Sequence, residues 1–371
     1  MSSSTDYKFE GWAGYDAKSV EGNLKFIEFE PKQFAEDDID IQIMYCGICA
    51  SDTSTLSEGW GPVGDMWPQV VGHEIVGKVV KVGKDTKNGI KEGDIVGVGA
   101  QCDSCLKCHY CNKDQENYCS GGWVPTYNGK FNRTSKDSKS YGGYANYWRG
   151  PSHFAIPLPK ELDPAEAAPM LCGGGTVYSP LVQFGAGTEK CKNVGIIGLG
   201  GLGHFGVLLG NALGAEVTVI SHSSRKQKDA EELGAKHFLV TGDDEAKAFK
   251  GHERSLDLII CTSNAPEMNM AAYLSLLKPQ GNFIFVGIPE TGKLPEITPG
   301  QLIFGNLHVG GSLIASPQQL KDMLQLCADK NVKSWIQRWS MDKINEAIPS
   351  MIAGNARYRY VLVNEQNGGK L

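Results

Sequence analysis

The sequence predicts an α/β protein in which a β-rich first third is followed by a doubly wound parallel sheet. Three observations lead to this fold class. Apolar and polar residues alternate over residues 39–43, which is the period of a β-strand. After about residue 160, short apolar strands alternate with helical segments, the pattern of right-handed βαβ units. A G-x-G-x-x-G motif at residues 198–203 stands between one such strand and the helix that follows it.

Length and composition limit the class of protein. The 371 residues predict two or three domains at ~150 residues each. With 41% hydrophobic and 21% charged residues, the chain is typical of globular proteins rather than disordered ones. A net charge of -6 provides no basic surface for nucleic acid or an anionic membrane. The first twelve residues do not resemble a signal peptide, and His204, Asn211 and Glu216 interrupt the longest apolar stretch. We therefore expect a cytoplasmic protein without nucleic-acid or membrane partners.

The first third of the chain is predicted to form β-strands. Ile39, Ile41 and Ile43 form the apolar side of a half-buried strand. Residues 68–82 and 94–98 are further β-branched runs punctuated by glycine. Short strands with glycine turns predict a compact, barrel-like β domain.

The second half of the chain is predicted to form alternating strands and helices. The predicted elements are a helix at 164–170 with proline at its start, strands at 193–199, 216–220, 238–240, 256–261 and 282–286, helices at 203–213 and 225–233, a helix after residue 317 and a last strand at 358–363. Gly234 is the expected C-cap of the helix that ends at residue 233. This order predicts a parallel sheet.

The glycine motif predicts a dinucleotide site. It consists of Gly198, Leu199, Gly200, Gly201, Leu202 and Gly203. Gly198 permits the tight turn, Gly200 lets a pyrophosphate approach the backbone, and Gly203 lets the helix pack closely on the strand. The N–H groups at the start of the following helix are the expected phosphate donors.

The end of the second strand indicates which dinucleotide binds. NAD sites place a carboxylate there to bind the ribose 2′-hydroxyl. This chain instead has Ser221, His222, Ser223, Ser224, Arg225 and Lys226. Serine donors and two cations suit a 2′-phosphate, so we expect the cofactor to be NADP(H). The alternative is that Arg225 and Lys226 are solvated residues of a helix.

Five of the eleven cysteines fall between residues 102 and 119. A structural zinc takes four thiolates, so two sets are open: the four equally spaced cysteines that start at Cys102, or Cys105, Cys108, Cys111 and Cys119. An iron–sulfur cluster is disfavoured, because its motif needs three residues before the last cysteine and a proline after it. A zinc-finger binding module is disfavoured because the acidic residues Asp103, Asp114 and Glu116 flank the cluster.

A second metal site is indicated by Cys49, His73, Glu74 and Cys172. One histidine, one or two cysteines and a carboxylate form a plausible open zinc site. The alternatives are that these cysteines are ordinary buried side chains, or that Cys46 and Cys49 form a redox pair. A redox pair is expected in a thioredoxin-like βαβ unit, which the strands around Cys46 do not resemble.

Taken together, these motifs resemble the zinc-dependent medium-chain alcohol dehydrogenases, and among them the cinnamyl alcohol dehydrogenase branch. The matching segments, in order, are GICASD at 47–52, GHE at 72–74, the cysteine lobe, LCGGGTVYSPL at 171–181, GLGGLG at 198–203 and ARYRYV at 356–361. The resemblance implies a GroES-like catalytic domain (1–173 and 315–371) with a zinc lobe near 100–120, and an inserted Rossmann domain (174–314). It also implies a homodimer that reversibly reduces small aldehydes to primary alcohols with NADPH.

The resemblance further implies roles for individual residues. The catalytic zinc is expected on Cys49, His73 and Cys172, with Glu74 close enough to coordinate, and the structural zinc on the four cysteines that start at Cys105. Ser51 matches the hydroxyl that contacts the substrate oxygen, and Asp52 matches the carboxylate that orients the histidine ligand. The further cofactor contacts implied are Thr176, Thr262, Gly287, Ile288, Ser312, Leu313, Ile314 and Arg357.

The chain departs from the family pattern at one position. Family members often carry a histidine at the outer end of a proton relay, where this chain has Ser54, and serine is no base near neutral pH.

Trp60 and Trp123 are candidate walls of a pocket for an aromatic or branched aldehyde, the alternative being ordinary packing. A related polyol or formaldehyde dehydrogenase is the competing enzyme assignment.

Overall fold

The structure is a computed structural model that describes residues 6–131, 133, 138–263, 268–288 and 295–371. The chain divides into two compact units, residues 1–172 with 315–371, and residues 173–314. Within the described residues, no helix is both long enough and apolar enough to cross a membrane.

The described residues of the first unit begin with nine strands, most of them short. They are β1 (Glu10–Ala13), β2 (Lys25–Glu28), β3 (Asp38–Ile48), β4 (Ile75–Val82), β5 (Ile95–Val98), β6 (Gln101–Asp103), β7 (Val124–Pro125), β8 (Tyr147–Pro151) and β9 (Ala155–Pro157), with helices α1 (Ala50–Leu56) and α2 (Pro164–Ala167). The strand predicted over 68–82 is correct only from Ile75. Gly72 has a φ of +101°, which an extended strand does not accommodate, so residues 68–74 form a loop.

The second unit contains the parallel sheet. Its elements are α3 (Gly173–Gln183), β10 (Asn193–Ile197), α4 (Gly203–Ala212), β11 (Glu216–Ser221), α5 (Gln227–Glu232), β12 (His237–Val240), α6 (Glu245–Ala248), β13 (Leu256–Cys261), α7 (Met270–Ser275), β14 (Leu277–Phe285), α8 (Pro299–Ile303) and β15 (His308–Gly311). The six strands are parallel and lie in the order β12-β11-β10-β13-β14-β15. This order confirms the predicted doubly wound fold. The helix predicted from residue 225 begins at Gln227, after a short turn at Ser224–Lys226.

The chain then returns to the first unit. Its last elements are α9 (Pro317–Asp329), β16 (Ile336–Ser340), α10 (Ile344–Ile352) and β17 (Arg359–Val363). They complete a sheet in the order β16-β17-β3-β4-β5-β9, with β8 also paired to β3. β17 runs antiparallel to β3 with Tyr360 opposite Ile48. The start of β17 therefore lies beside the end of β3, which is one residue before Cys49.

The core of the first unit corrects one sequence interpretation. Ile39, Ile41 and Ile43 are fully buried, but so are Asp38 and Asp40 on the supposedly exposed face of β3. Asp40 accepts two hydrogen bonds from Arg149, at 2.7 and 2.8 Å, and Asp38 pairs with Lys32. Alternation therefore identified the strand correctly but not its burial, because cations from other segments cover the polar face.

Candidate active site

The first candidate metal site gathers four residues from three segments. Cys49 precedes α1, directly after β3; His73 and Glu74 occupy the loop before β4; and Cys172 ends the short turn that follows α2. All four side chains are buried, and their ligand atoms lie within 4.8 Å of one another. The structure therefore brings together the residues that the sequence singled out.

The spacing of the donor atoms suits a tetrahedral metal ion. The sulfurs of Cys49 and Cys172 lie 3.9 Å apart, close to the ~3.8 Å that separates two thiolates on one zinc ion with 2.3 Å bonds. The hydrogen bond from Cys172 and the nearby His73 lower the pKa of Cys49 well below its usual value. Cys46 is not part of this group: burial raises the pKa of its thiol well above the usual value, which disfavours the redox-pair alternative.

Asp52 orients the histidine of this site. Its Oδ1 lies 2.8 Å from His73 Nδ1, which leaves Nε2 directed at the sulfurs, 2.9 Å from that of Cys172. Burial opposes charge on His73, but the Asp52 carboxylate outweighs it and raises the pKa of His73 well above its usual value. The Ser51 hydroxyl lies 3.7 Å from the sulfur of Cys49, beside the same donor set.

Arg359 is a member of the site that the sequence analysis missed. Its guanidinium forms a buried ion pair with Glu74 and donates to the carbonyl of Ile48 at 3.1 Å. Burial, only partly offset by Arg359, raises the pKa of Glu74 to about 7. Nothing in the segment ARYRYV indicated that Arg359 would pair with Glu74. Arg357, which was predicted to bind the cofactor, lies over the Trp335 ring, with its Cζ 5.3 Å from the ring centroid.

Arg359→Ala should destabilise the protein by about 3–5 kcal/mol, because it leaves the Glu74 charge buried without its partner. A glutamate with a raised native pKa binds protons more readily in the folded than in the unfolded chain. Without Arg359 the pKa of Glu74 rises further, so the variant holds its proton to higher pH than wild type and the deficit should be smaller at pH 6 than at pH 8. Denaturant unfolding of wild type and variant at pH 6 and pH 8 measures it. A loss below 1 kcal/mol at pH 8 would contradict this account.

The second candidate metal site lies in the cysteine lobe. Cys105, Cys108, Cys111 and Cys119 again have ligand atoms within 4.8 Å of one another. The sulfur of Cys111 lies 3.5 Å from that of Cys108 and 4.0 Å from that of Cys105. Backbone hydrogen bonds, first that of Cys111 and then that of Ser120, lower the pKa of Cys108 to about 5. Cys102 lies outside this group, buried against the Pro125 carbonyl at 3.3 Å.

Cys111→Ser should remove one bound zinc ion per chain while the other remains. The lobe then loses the cross-link that fixes two short turns, Cys111–Lys113 and Glu116–Tyr118. We expect a thermal midpoint lower by about 5–10 °C. Metal analysis and calorimetry measure both effects, with Cys102→Ala as the matched control. Equal zinc content in Cys111→Ser and wild type would exclude the four-cysteine site.

The glycine loop after β10 has the geometry of a phosphate cradle. Gly198 has a φ of +86°, and a side chain at Gly203 would collide with the Gly198 carbonyl. A Cβ at Gly200 would meet no atom within 4 Å, so the backbone there is open to a ligand. The Thr262 hydroxyl supports the turn, at 2.8 Å from the Ile197 carbonyl and 3.1 Å from that of Gly198.

Apart from Thr176, the predicted cofactor residues of the second unit lie along the carboxyl edge of its parallel sheet. They follow or end neighbouring strands: Gly198 to Gly203 after β10, Ser221 to Lys226 at β11, Thr262 after β13, Gly287 and Ile288 after β14, and Ser312, Leu313 and Ile314 after β15. Ligands bind open α/β sheets at this edge. Lys226 donates to the carbonyl of Leu199 at 2.6 Å and so joins the serine-rich segment to the glycine loop. Thr176 is buried in α3.

Three further positions that the sequence singled out are Trp60, Trp123 and Ser54. Trp60 is 45% exposed in the loop after α1, and Trp123 is half-buried. The carbonyl of Ser54 accepts from Gly59 N–H within the same segment. Their roles in the substrate pocket and in the proton relay stay predictions.

The chain is similar in sequence and in fold to known alcohol dehydrogenases. Residues 35–160 match the alcohol dehydrogenase GroES-like domain, and residues 201–329 match the zinc-binding dehydrogenase family. The chain is 40% identical to the NADP-dependent alcohol dehydrogenase 6 of Saccharomyces cerevisiae over 96% of each chain. The fold is similar to a cinnamyl alcohol dehydrogenase of Sorghum bicolor (TM-score 0.88, 36% identity, 98% and 99% coverage). It is also similar to the Helicobacter pylori enzyme CAD in complex with NADP(H) (TM-score 0.85, 32% identity, 97% and 99% coverage).

Proposed function

Because the chain belongs to the zinc-binding alcohol dehydrogenases with a GroES-like domain, we propose that it reduces aromatic and branched aldehydes reversibly to primary alcohols with NADPH. The observation that carries the proposal is the buried set of Cys49, His73, Glu74 and Cys172. Two thiols, an imidazole and a carboxylate fit a catalytic zinc with an exchangeable position. The four-cysteine lobe fits a second, structural zinc.

Each unit contributes its own part of the chemistry. When bound, zinc supplies Lewis acidity toward the substrate oxygen, and the nicotinamide supplies the electrons. Cys49, Cys172 and His73 hold the ion, and Asp52 fixes the imidazole so that Nε2 faces the sulfurs. The Ser51 hydroxyl donates the proton to the reduced oxygen. Since the Ser54 hydroxyl neither takes up nor releases a net proton near neutral pH, water is the group that returns a proton to Ser51.

The second unit binds the dinucleotide. The open backbone at Gly200 and the first N–H groups of α4 receive the pyrophosphate. Ser221, Ser223, Ser224, Arg225 and Lys226 receive the 2′-phosphate, and Lys226 already joins this segment to the glycine loop. The contacts of Thr176 and Arg357 with the cofactor are part of the same proposal.

Initial rates over a panel of aldehydes with NADPH and NADH test this function. We expect cinnamaldehyde and branched aliphatic aldehydes to be reduced with NADPH, with two zinc ions per chain by metal analysis. Faster oxidation of sorbitol or of a formaldehyde adduct would favour a polyol or formaldehyde dehydrogenase instead. Absence of zinc in active protein would refute the assignment.

We also propose a cytoplasmic homodimer. None of the eleven cysteines forms a disulfide bond, as expected in a reducing compartment. The edge strand β15 is preceded by exposed apolar side chains, with Phe304 92% exposed and Ile303 72%, a patch that suits a second copy of the chain. Sedimentation equilibrium should give twice the mass of one chain; the mass of one chain would contradict it.

A further inference from the structure

Besides His73, which it orients, Asp52 has several other hydrogen-bond partners. The carboxylate is fully buried. Its Oδ1 accepts from Gly72 N–H at 3.2 Å besides facing His73. Its Oδ2 accepts from Cys49 N–H at 2.8 Å and from the Tyr144 hydroxyl at 2.9 Å. The Tyr144 hydroxyl comes from outside the two ligand-bearing segments, as does Tyr127, which also forms a side-chain hydrogen bond with Asp52.

Tyr144 contacts the His73 segment a second time through its ring. A Cβ built on Gly72 would lie 2.6 and 2.8 Å from Cδ1 and Cε1 of the Tyr144 ring, so the ring packs directly on that backbone. The backbone of Tyr144 is itself fixed, because its N–H donates to Val71 at 3.0 Å and its carbonyl accepts from Trp12 at 2.7 Å. The side chain is fully buried, so water does not compete for its hydroxyl.

We propose that Tyr144 is a positioning residue for the catalytic zinc, acting on His73 through the Asp52 carboxylate and through the Gly72 backbone. The inference rests on the proposed function, in which His73 binds zinc. A phenol is protonated at neutral pH, so the hydroxyl donates to Asp52 without changing the net charge of the site. Without that donor, Oδ2 loses one of its hydrogen bonds and keeps that of the Cys49 N–H, so the carboxylate is held less firmly against Nδ1. The imidazole then loses both orientation and basicity as a ligand.

Tyr144→Phe tests this proposal, because it removes the hydroxyl and keeps the ring on Gly72. Zinc release into excess chelator, followed with a metallochromic dye, should be about tenfold faster for the catalytic ion, the lower end of the effect of an outer partner. Release from the four-cysteine site should not change. The cobalt-substituted variant should also show shifted visible bands, a readout that does not depend on activity.

Tyr360→Phe is the matched control. It removes another buried tyrosine hydroxyl of the same unit, one that contacts Ser350 at 3.0 Å, and should release zinc at the wild-type rate. The double variant Asp52→Asn, Tyr144→Phe should release zinc no faster than Asp52→Asn, since both act on the same group. Multiplicative effects in the double variant, or equal rates for Tyr144→Phe and Tyr360→Phe, would overturn the proposal. If one of these two results is found and the wild type has normal zinc content and NADPH-linked activity, the proposed function still stands. A wild-type protein without the catalytic zinc would overturn both the role of Tyr144 and the proposed function.

Discussion

Cys49→Ser should lower kcat/KM for aldehyde reduction at least about 1000-fold, a loss of ~4 kcal/mol of transition-state stabilisation. A serine hydroxyl is not ionised near neutral pH, whereas the neighbouring Cys172 and His73 lower the pKa of the Cys49 thiol well below its usual value. The variant therefore loses one of two thiolates and much of its affinity for the catalytic ion. Metal analysis should give one zinc ion per chain instead of two.

Cys46→Ala is the control for this prediction. Cys46 lies three residues earlier, near the end of β3, and is fully buried, so its replacement also removes a buried thiol close to the site. If Cys46 and Cys49 formed a redox pair, both variants would lose activity together. If the zinc assignment is correct, only Cys49→Ser loses activity and zinc. Full activity with two zinc ions in Cys49→Ser would refute the catalytic metal site.

Ser221→Asp should lower kcat/KM with NADPH about 100-fold and bring NADH to parity or above. Ser221 is the last residue of β11, the position at which NAD-binding sheets carry a carboxylate for the ribose 2′-hydroxyl. A carboxylate there repels a 2′-phosphate, and like charges brought together cost several kcal/mol. Loss of ~2.7 kcal/mol corresponds to the 100-fold effect.

Ser221→Asn separates charge from shape in this experiment. Asparagine has nearly the size of aspartate but no charge, so it should keep the preference for NADPH while lowering the rate only slightly. Initial rates with both cofactors at a fixed aldehyde concentration measure the ratio. An unchanged NADPH preference in Ser221→Asp would mean that the 2′-phosphate binds away from the end of β11.

The fold was largely predictable because its signals are local. Alternation in 39–43 located β3, and glycines at fixed spacing located the turn between β10 and α4. The apolar run at 358–363 located β17, which the structure places at Arg359–Val363. These patterns arise because a strand repeats every two residues and a tight turn requires glycine. Residues 68–74 were misassigned because β-branched residues also occur in a loop that Gly72 redirects.

Local sequence patterns were enough to predict the fold class and the residue types at both candidate metal sites. They could not determine which distant groups hold those residues. Glu74 pairs with Arg359 across 285 residues of chain, and Asp52 receives the Tyr144 hydroxyl across 92. Asp38 and Asp40 likewise looked solvent-exposed until Lys32 and Arg149 covered them. A buried charge is tolerated only where a partner reaches it, and which partner does so is decided by how the strands pair, not by the local pattern.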